Sequence, residues 1–282
     1  MEASIALKKI GKLSGDKTVL ADLTFGIEKG SLTAIIGKND AGKSTLMNVM
    51  AGIESPNFGS VYIDGLDITK RRLEIRKEIA YVPSKIDLED MMSIEENIFF
   101  ISSLYSIDKA TIQSRIYQYS EELEISEFLD EYPINISTGI LKKAMILRAL
   151  VLDTSIIYLD EPTSFMDPDS SRKIWSILKN LSPQKTIVYT TQNIKEVEDN
   201  HDRILVIRNG KVVLDGNLNS LLETTCKYHQ FKLVIKNLNK NFLLRMENIS
   251  SVVSPKIEGT TLMFYGNSKS VFFDVLKEID YA

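Results

Sequence analysis

Cysteine is almost absent: Cys226 is the single thiol in 282 residues. One thiol excludes an internal disulfide framework and suits a reducing compartment. Histidine is scarce too. His201 and His229 stand alone, without the spacing of a metal-ligand set, and read as surface residues. Long apolar runs are missing. The longest stretch without a charge, Asn97–Ile107, has 11 residues, whereas a membrane-spanning helix needs about 20 apolar residues. The uncharged run before Lys8 is too short for the apolar core of a secretory signal. The chain is therefore expected to be soluble by itself. An excess of positive charge is also lacking. At a net charge of −4 there is no global basic field to gather nucleic acid or anionic lipid. No internal repeat and no low-complexity tract is seen.

What is present is a globular composition, 44% hydrophobic and 26% charged. The length allows one large domain or two smaller ones. Strand-like segments open the chain at Ser4–Ile10 and Leu23–Ile27. The apolar run Leu32–Ile36 ends at Gly37, the pattern of a buried strand entering a tight turn. Lys43–Ala51 follows with Leu46, Val49 and Met50 at helical spacing. Residues 61–82 read as two more strands around the polar stretch Asp67–Lys77, and residues 90–131 and Ser137–Leu152 read as helical. Ser155–Leu159, Thr186–Thr191 and Ile204–Ile207 have the character of buried parallel strands. Strands separated by helices predict an α/β fold with a largely parallel sheet and a helical insert, about 85–150, as a separate lobe.

Near Gly216 the texture changes. Residues 231–236 read as a strand, and Ser251–Val253 and Thr261–Tyr265 flank the hairpin signal Glu258-Gly259. Lys269–Ile279 has the spacing of an amphipathic helix. The expected division is a main domain over residues 1–216 and a small α+β appendage over 217–282.

Gly37-Lys38-Asn39-Asp40-Ala41-Gly42-Lys43-Ser44, continuing into Thr45, matches G-x-x-x-x-G-K-[ST] between a predicted strand and a predicted helix. Glycines let the backbone bend so that successive N–H groups point at phosphates, and the helix N-terminus adds partial positive charge. Lys43 is placed to reach the β- and γ-phosphates, and the Ser44 hydroxyl to take a place on Mg²⁺. The pattern points to nucleoside triphosphate binding. Ile156–Glu161 reads as a buried strand ending in two acids. There Asp160 can hold Mg²⁺ through its water shell, and Glu161 can act as general base on an attacking water.

With these motifs the chain resembles the ATP-binding cassette family, the nucleotide-binding subunits of ABC transporters, over about residues 5–215. Glu161-Pro162-Thr163-Ser164 is similar to the family's EPTS, and Asp167-Pro168 falls at its D-loop. Ile136-Ser137-Thr138-Gly139-Ile140 stands where the signature LSGGQ belongs, followed by Leu147-Arg148-Ala149-Leu150. Tyr81-Val82-Pro83 precedes the Q-loop position, and Thr190-Thr191-Gln192 occupies the switch, ahead of Asp202-Arg203-Ile204 and Gly210-Lys211. The resemblance implies a P-loop NTPase core of the ABC type with a helical subdomain, working on ATP with Mg²⁺. It implies head-to-tail pairing with a second ABC ATPase subunit, identical or different. Each ATP would lie between one phosphate loop and the partner's Ser137, Thr138 and Gly139. It also implies an integral membrane permease subunit as partner, no nucleic acid, and a place on the cytoplasmic face of the membrane. Catalytic roles would fall to Glu161, Gln192 and Lys43, metal contacts to Ser44, Asp160 and the Ser84 position, and a D-loop role to Asp167.

Several positions depart from the family pattern. Ser14 stands where an adenine-stacking aromatic is expected, which weakens the grip on the base. Asp40 replaces a loop glycine, and Ser84 replaces the Q-loop glutamine that touches Mg²⁺ and links the site to the membrane partner. Thr138 and Ile140 alter the signature, and Phe165 and Met166 the D-loop. Gln192 replaces the switch histidine, as in the ABC-2 branch resembling the daunorubicin exporter ATPase. Lys43, Ser44, Asp160 and Glu161 all remain, so an active ATPase of an exporter, slowed by the altered positions, is expected. The alternative is a degenerate regulatory cassette beside a more regular partner. A cassette of DNA repair or of ribosomes is disfavoured by the lack of a coiled-coil insert or a second cassette. The basic cluster Lys70-Arg71-Arg72 with Arg76-Lys77 reads as a solvated connector. Leu88–Ile107 reads either as ordinary helical packing or, by the resemblance, as part of the groove that receives a helix of the membrane partner.

Overall fold

The computed structural model describes residues 3–197, 201–218, 220–221, 229–234, 246, 249, 252–258, 260–266, 271 and 275. β1 (Ala3–Ser14) and β2 (Lys17–Glu28) form an antiparallel hairpin, longer at both strands than the segments expected from the sequence. Their register shifts at several points, and Lys9 and Asp22 take positive φ, 51° and 54°. Such bulges break the alternation of apolar and polar side chains, so the extra residues carry no strand pattern. β4 (Phe58–Ile63) pairs with β1, and β5 (Leu66–Asp67) with β4, giving a four-stranded antiparallel sheet in the order β2-β1-β4-β5.

The second sheet holds β3 (Leu32–Ile36), β6 (Ile79–Val82), β7 (Ile156–Asp160), β8 (Thr186–Thr191), β9 (Arg203–Arg208) and β10 (Lys211–Gly216), in the order β10-β9-β3-β8-β7-β6. It is parallel throughout except for β10. β7 and β8 are buried along their whole length, which is why neither shows the inside-outside alternation of a half-exposed strand. The two strands expected in residues 61–82 fall in different sheets. Between them, Asp67–Lys77 is more than a connector, since it holds the end of β5 and a short helix, α2 (Arg72–Arg76).

Helix α1 (Lys43–Met50) lies in the core shared by the two sheets. Leu46, Met47, Val49 and Met50 are wholly buried there, with Leu20 and Ile27 of β2 and Ile35, Tyr158 and Val188 of the parallel strands. Each such side chain contributes about 1.5–3 kcal/mol on burial, so the helix behind the phosphate-loop motif is among the most firmly anchored parts of the chain. Helix α3 (Ile94–Leu104) starts at a capping box between Ser93 and Glu96, and α4 (Lys109–Glu122) is capped by Asp108. Both pack on α5 (Thr138–Leu152). α5 also rests on β6, and every residue from Leu141 to Leu152 is buried, so α5 joins the helical insert to the parallel sheet. Helix α6 (Pro168–Leu181) covers β8, with Trp175 tilted on Tyr189 at 4.4 Å between ring centres.

Contacts divide the chain into Met1–Leu218 and Asn219–Ala282. In the smaller unit β11 (His229–Val234), β12 (Val252–Glu258) and β13 (Thr261–Gly266) form an antiparallel sheet in the order β11-β13-β12. Phe231 stacks on Phe264 at 5.0 Å, beside buried Met246, Leu262, Val271 and Val275. Cys226 and most of Lys269–Ile279 lie outside the described residues. His201, expected at the surface, is half-buried, and burial lowers its pKa. Among the described residues no helix is long and apolar enough to cross a membrane.

Candidate active site

β3, β7 and β8 run parallel and end on the same edge of their sheet. Register brings these ends level: Ile36 pairs with Thr191, and Asp160 with Thr190. The loops that leave parallel strand ends are where such sheets place ligands.

The loop after β3 needs glycine at both ends. A Cβ on Gly37 would stand 2.6 Å from the Ile207 carbonyl oxygen. Gly42 takes φ 99°, and a Cβ there would meet the Val19 carbonyl oxygen at 2.9 Å. Asp40, exposed between them, takes φ 61°, a conformation aspartate tolerates better than most residues. Gly42 then caps α1, whose first-turn N–H groups have no helical acceptors and carry the positive end of the helix dipole. Lys43 is buried to 6% exposure. Its Nζ donates to the carbonyls of Gly37 at 2.9 Å and Lys38 at 3.2 Å, and lies 3.9 Å from Glu161 Oε1.

The turn Asn209-Gly210, between β9 and β10, closes this loop from outside. Gly210 N–H donates to the Ala41 carbonyl at 3.2 Å, and Ala21 N–H donates to the Gly210 carbonyl at 2.9 Å. A Cβ on Gly210 would come within 2.2 Å of the Val19 carbonyl oxygen. One turn thus fastens the loop to the antiparallel sheet.

After β7, Asp160 is 1% exposed, and its Oδ1 accepts a hydrogen bond from the Thr190 hydroxyl. Glu161 follows at φ 50°, with its side chain partly exposed. Its N–H donates to the Thr190 carbonyl at 3.2 Å and to Thr190 Oγ1 at 3.1 Å. Positive φ at a glutamate is uncommon and is held here by Thr190 from the neighbouring strand. Thr190 therefore positions both acids. The sequence marked it only as part of Thr190-Thr191-Gln192, because its partners become visible only once β7 and β8 pair.

Lys43, Ser44, Thr45, Asn39, Asp40 and Glu161 line one cleft of about 960 Å³, which runs on to Ser14 and Lys17. Gln192 lines a neighbouring cleft of about 920 Å³ with residues 36–41. Ser84 is half-buried and lines neither. Ser137 and Thr138 are exposed at the start of α5, and with Gly139 they too stand outside both clefts. A Cβ on Gly139 would lie 3.0 Å from the Phe165 carbonyl oxygen, so this helix start abuts the turn after Glu161. Phe165, in that turn, is 78% exposed at φ 66°. Asp167 caps α6, accepting from the N–H groups of Asp169 at 3.0 Å and Ser170 at 2.9 Å. Hydrogen bonds from Ser170 first, then from Asp169, hold its carboxyl down at about 2.

Lys142, which the sequence did not single out, has no exposed surface. Its Nζ donates to the Pro83 carbonyl at 2.8 Å and stands 3.5 Å from the Asp160 carbonyl oxygen, a long, weak contact. Burial pulls its pKa down to about 8, against the opposing pull of the Asp160 and Glu161 charges. Elsewhere a cleft of about 530 Å³ is lined by Ile53, Leu73, Ile101 and Leu104 together with Arg76 and Lys77. Only part of it comes from Leu88–Ile107. The basic pair Arg76-Lys77, expected in a plain connector, lines it as well.

The donor set suits a hard cation shared with substrate. Among the described residues no group of three or more His, Cys, Asp or Glu is placed to hold a metal by itself. A hydroxyl at Ser44 and a carboxylate at Asp160 fit Mg²⁺, which takes few protein oxygens and completes its shell with phosphate and water. The glycine-lined loop, whose Cβ positions are filled by neighbouring carbonyls, fits a phosphate chain laid against backbone.

The family model for ABC transporters matches residues 20–164. The ABC transporter ATP-binding protein NatA of Bacillus subtilis is 32% identical over 205 residues, 72% of this chain and 83% of that protein. A Nod factor export ATP-binding protein I of Paraburkholderia xenovorans is 29% identical over 222 residues, covering 78% of this chain and 73% of that one. Among solved structures, a dimeric ATP-binding cassette in a post-hydrolysis state, bound to ADP and Pi, matches with a TM-score of 0.71 at 25% identity. The match covers 76% of this chain and 98% of that one.

Proposed function

The chain belongs to the ABC transporter family of ATP-binding subunits, and from that premise we propose that it is the ATP-hydrolysing subunit of an exporter. In this reading it works as one of two head-to-tail cassettes on the cytoplasmic face of the membrane, beneath a separate membrane-spanning subunit. The observation that carries the reading is the approach of Lys43 Nζ to Glu161 Oε1, 3.9 Å, within one cleft. A cation for phosphate and a carboxylate for water meet there. The loop N–H groups of residues 38–45 bind the phosphate chain, and Lys43 supplies charge to the β- and γ-phosphates. Ser44 and Asp160 would hold Mg²⁺, which when bound neutralises charge on the phosphate oxygens. Glu161 orients the attacking water and takes its proton, and the Gln192 amide donates to the γ-phosphate.

Ser137, Thr138 and Gly139 serve the partner cassette's nucleotide in this reading. Their place outside the chain's own clefts supports it. The permease inserts a helix into the 530 Å³ cleft, where Leu73 and Leu104 offer apolar surface and Arg76 and Lys77 offer charge. Ser84, which lines neither nucleotide cleft, makes a poor metal contact, and coupling falls to other residues. Export as the direction, and the daunorubicin-exporter-like branch, rest on Thr190-Thr191-Gln192 and on likeness to the Nod factor export protein.

Single-turnover hydrolysis tests the reading. Wild type should cleave bound ATP, and Glu161→Gln should bind and retain it, with a loss of about 10²–10⁴ in rate. Equal rates would refute a catalytic Glu161. Purification from detergent-extracted membranes should bring an integral membrane protein with the chain. Recovery from cytosol alone would refute the transporter assignment.

A further inference from the structure

Gln192 stands between two residues that converge on one carboxylate. Thr191 Oγ1 donates to Glu196 Oε2 at 2.7 Å, and Asn193 Nδ2 donates to Glu196 Oε1 at 3.3 Å. Asn193 N–H also donates to Thr191 Oγ1 at 3.0 Å, and Glu196 N–H to the Asn193 carbonyl at 3.2 Å. Thr191 is buried to 4%, while Gln192 is exposed and lines a cleft with the phosphate loop. The peptide that presents Gln192 is thus fixed on both flanks, and its side chain is left toward the cleft.

The same carboxylate reaches a second element. Thr163 Oγ1, 5% exposed, donates to Glu196 Oε1 at 3.0 Å. Thr163 belongs to the turn that leaves Glu161, and Met166 N–H donates to the Thr163 carbonyl at 3.3 Å within it. That turn carries Phe165 and abuts the start of α5. An ionised carboxylate offers acceptor sites only, so it can take these donors together. Hydrogen bonds to a charged acceptor are also roughly twice as strong as neutral ones.

We propose that Glu196 is a positioning residue for ATP hydrolysis: it fixes Gln192 at the γ-phosphate and ties that residue to the turn between Glu161 and Asp167. The inference rests on the hydrolytic reading above. Glu196 touches no substrate itself. It acts through Gln192, which makes its effect on rate conditional on that residue.

The test is a double-mutant cycle on the full chain, with steady-state ATP hydrolysis, ATP KM and thermal unfolding measured for each variant. Glu196→Ala should lower kcat about 10- to 100-fold while KM changes less than about threefold, because the phosphate loop is untouched. Glu196→Gln, equal in length and keeping one acceptor oxygen, should lose less. In a Gln192→Ala background Glu196→Ala should cause no further loss of kcat beyond about twofold. An equal loss in both backgrounds would overturn the proposal, as would a loss carried by KM. If Glu196→Ala unfolds, Glu196→Gln and Gln192→Ala complete the cycle, and full additivity there would overturn it too. Wild-type turnover that stops in Glu161→Gln shows that the hydrolytic reading stands whatever the cycle gives. Absence of wild-type turnover sinks both.

Discussion

Lys142 puts a cation where no water reaches it, and the consequence is a specific dependence of stability on pH. Its pKa falls from an ordinary 10.5 to about 8 in the fold. Below pH 8 folded and unfolded chains both carry the proton, and the penalty of the buried charge is present in full. Between pH 8 and about 10.5 the folded state has lost its proton and the unfolded chain still holds one. Stability therefore rises with pH in that window. At ~1.36 kcal/mol per pKa unit, the gain from pH 7 to pH 9.5 is about 2 kcal/mol. Lys142→Met keeps a similar volume, has no proton to lose and lacks this gain. At pH 7 the variant sheds a buried charge but leaves the Pro83 carbonyl without its donor, opposing effects of about 1–4 and 1–3 kcal/mol. The sign at pH 7 is thus a close balance, whereas the change with pH is not. Denaturant unfolding of both proteins at pH 7 and 9.5 should move the difference by about 2 kcal/mol in favour of wild type. Other titrating groups cancel in the comparison. A difference constant within about 0.5 kcal/mol would refute a desolvated, protonated Lys142.

Three further outcomes follow from named contacts. Gly37→Ala places a Cβ 2.6 Å from the Ile207 carbonyl oxygen, so ATP binding, read by equilibrium dialysis, should be lost; retained affinity would show that the loop yields. Thr190→Val keeps shape but removes the hydroxyl shared by Asp160 and the Glu161 N–H. It should cost about 1–3 kcal/mol of stability and lower kcat, and unchanged kinetics would show that other contacts hold the acids. Ser14→Tyr adds a ring at the exposed end of the nucleotide cleft. ATP KM should fall about tenfold, with new discrimination against CTP, if the base lies there.

The parts legible in the sequence are those whose structure is local. The phosphate loop, α1 and the segments Leu32–Ile36 and Thr186–Thr191 carry their reasons within a few residues: glycine at fixed spacing, helical period, and short stretches without charge or alternation. Residues 61–82 were harder, because alternation marks a strand without saying which sheet takes it. β1 and β2 outran their pattern at bulges. From Leu141 to Leu152 α5 is buried on every face, and the sequence does not name the partner on each face. Thr190, Lys142 and Glu196 act through partners up to 59 residues away. No window along the chain contains both ends of such a contact. The signature segment and Asp167 were found by motif alone, and the fold of one chain leaves them outside its own clefts.

The turn at Gly210 sets the smallest piece of this protein that can work. The last side chain given a direct role on ATP is Gln192, so a fragment ending there would contain every group proposed to touch the nucleotide. It would lack the carbonyl of Ile207 against Gly37, and the glycine wedged between Ala41 and Val19. Without them the loop has no outer wall and the antiparallel sheet no anchor at its rim. The minimal nucleotide-binding unit therefore extends through β10, which ends 24 residues beyond Gln192. Those residues act as a mould: they supply no reacting group, yet Asn209 and Gly210 wall the cleft and set the shape in which the chemistry takes place.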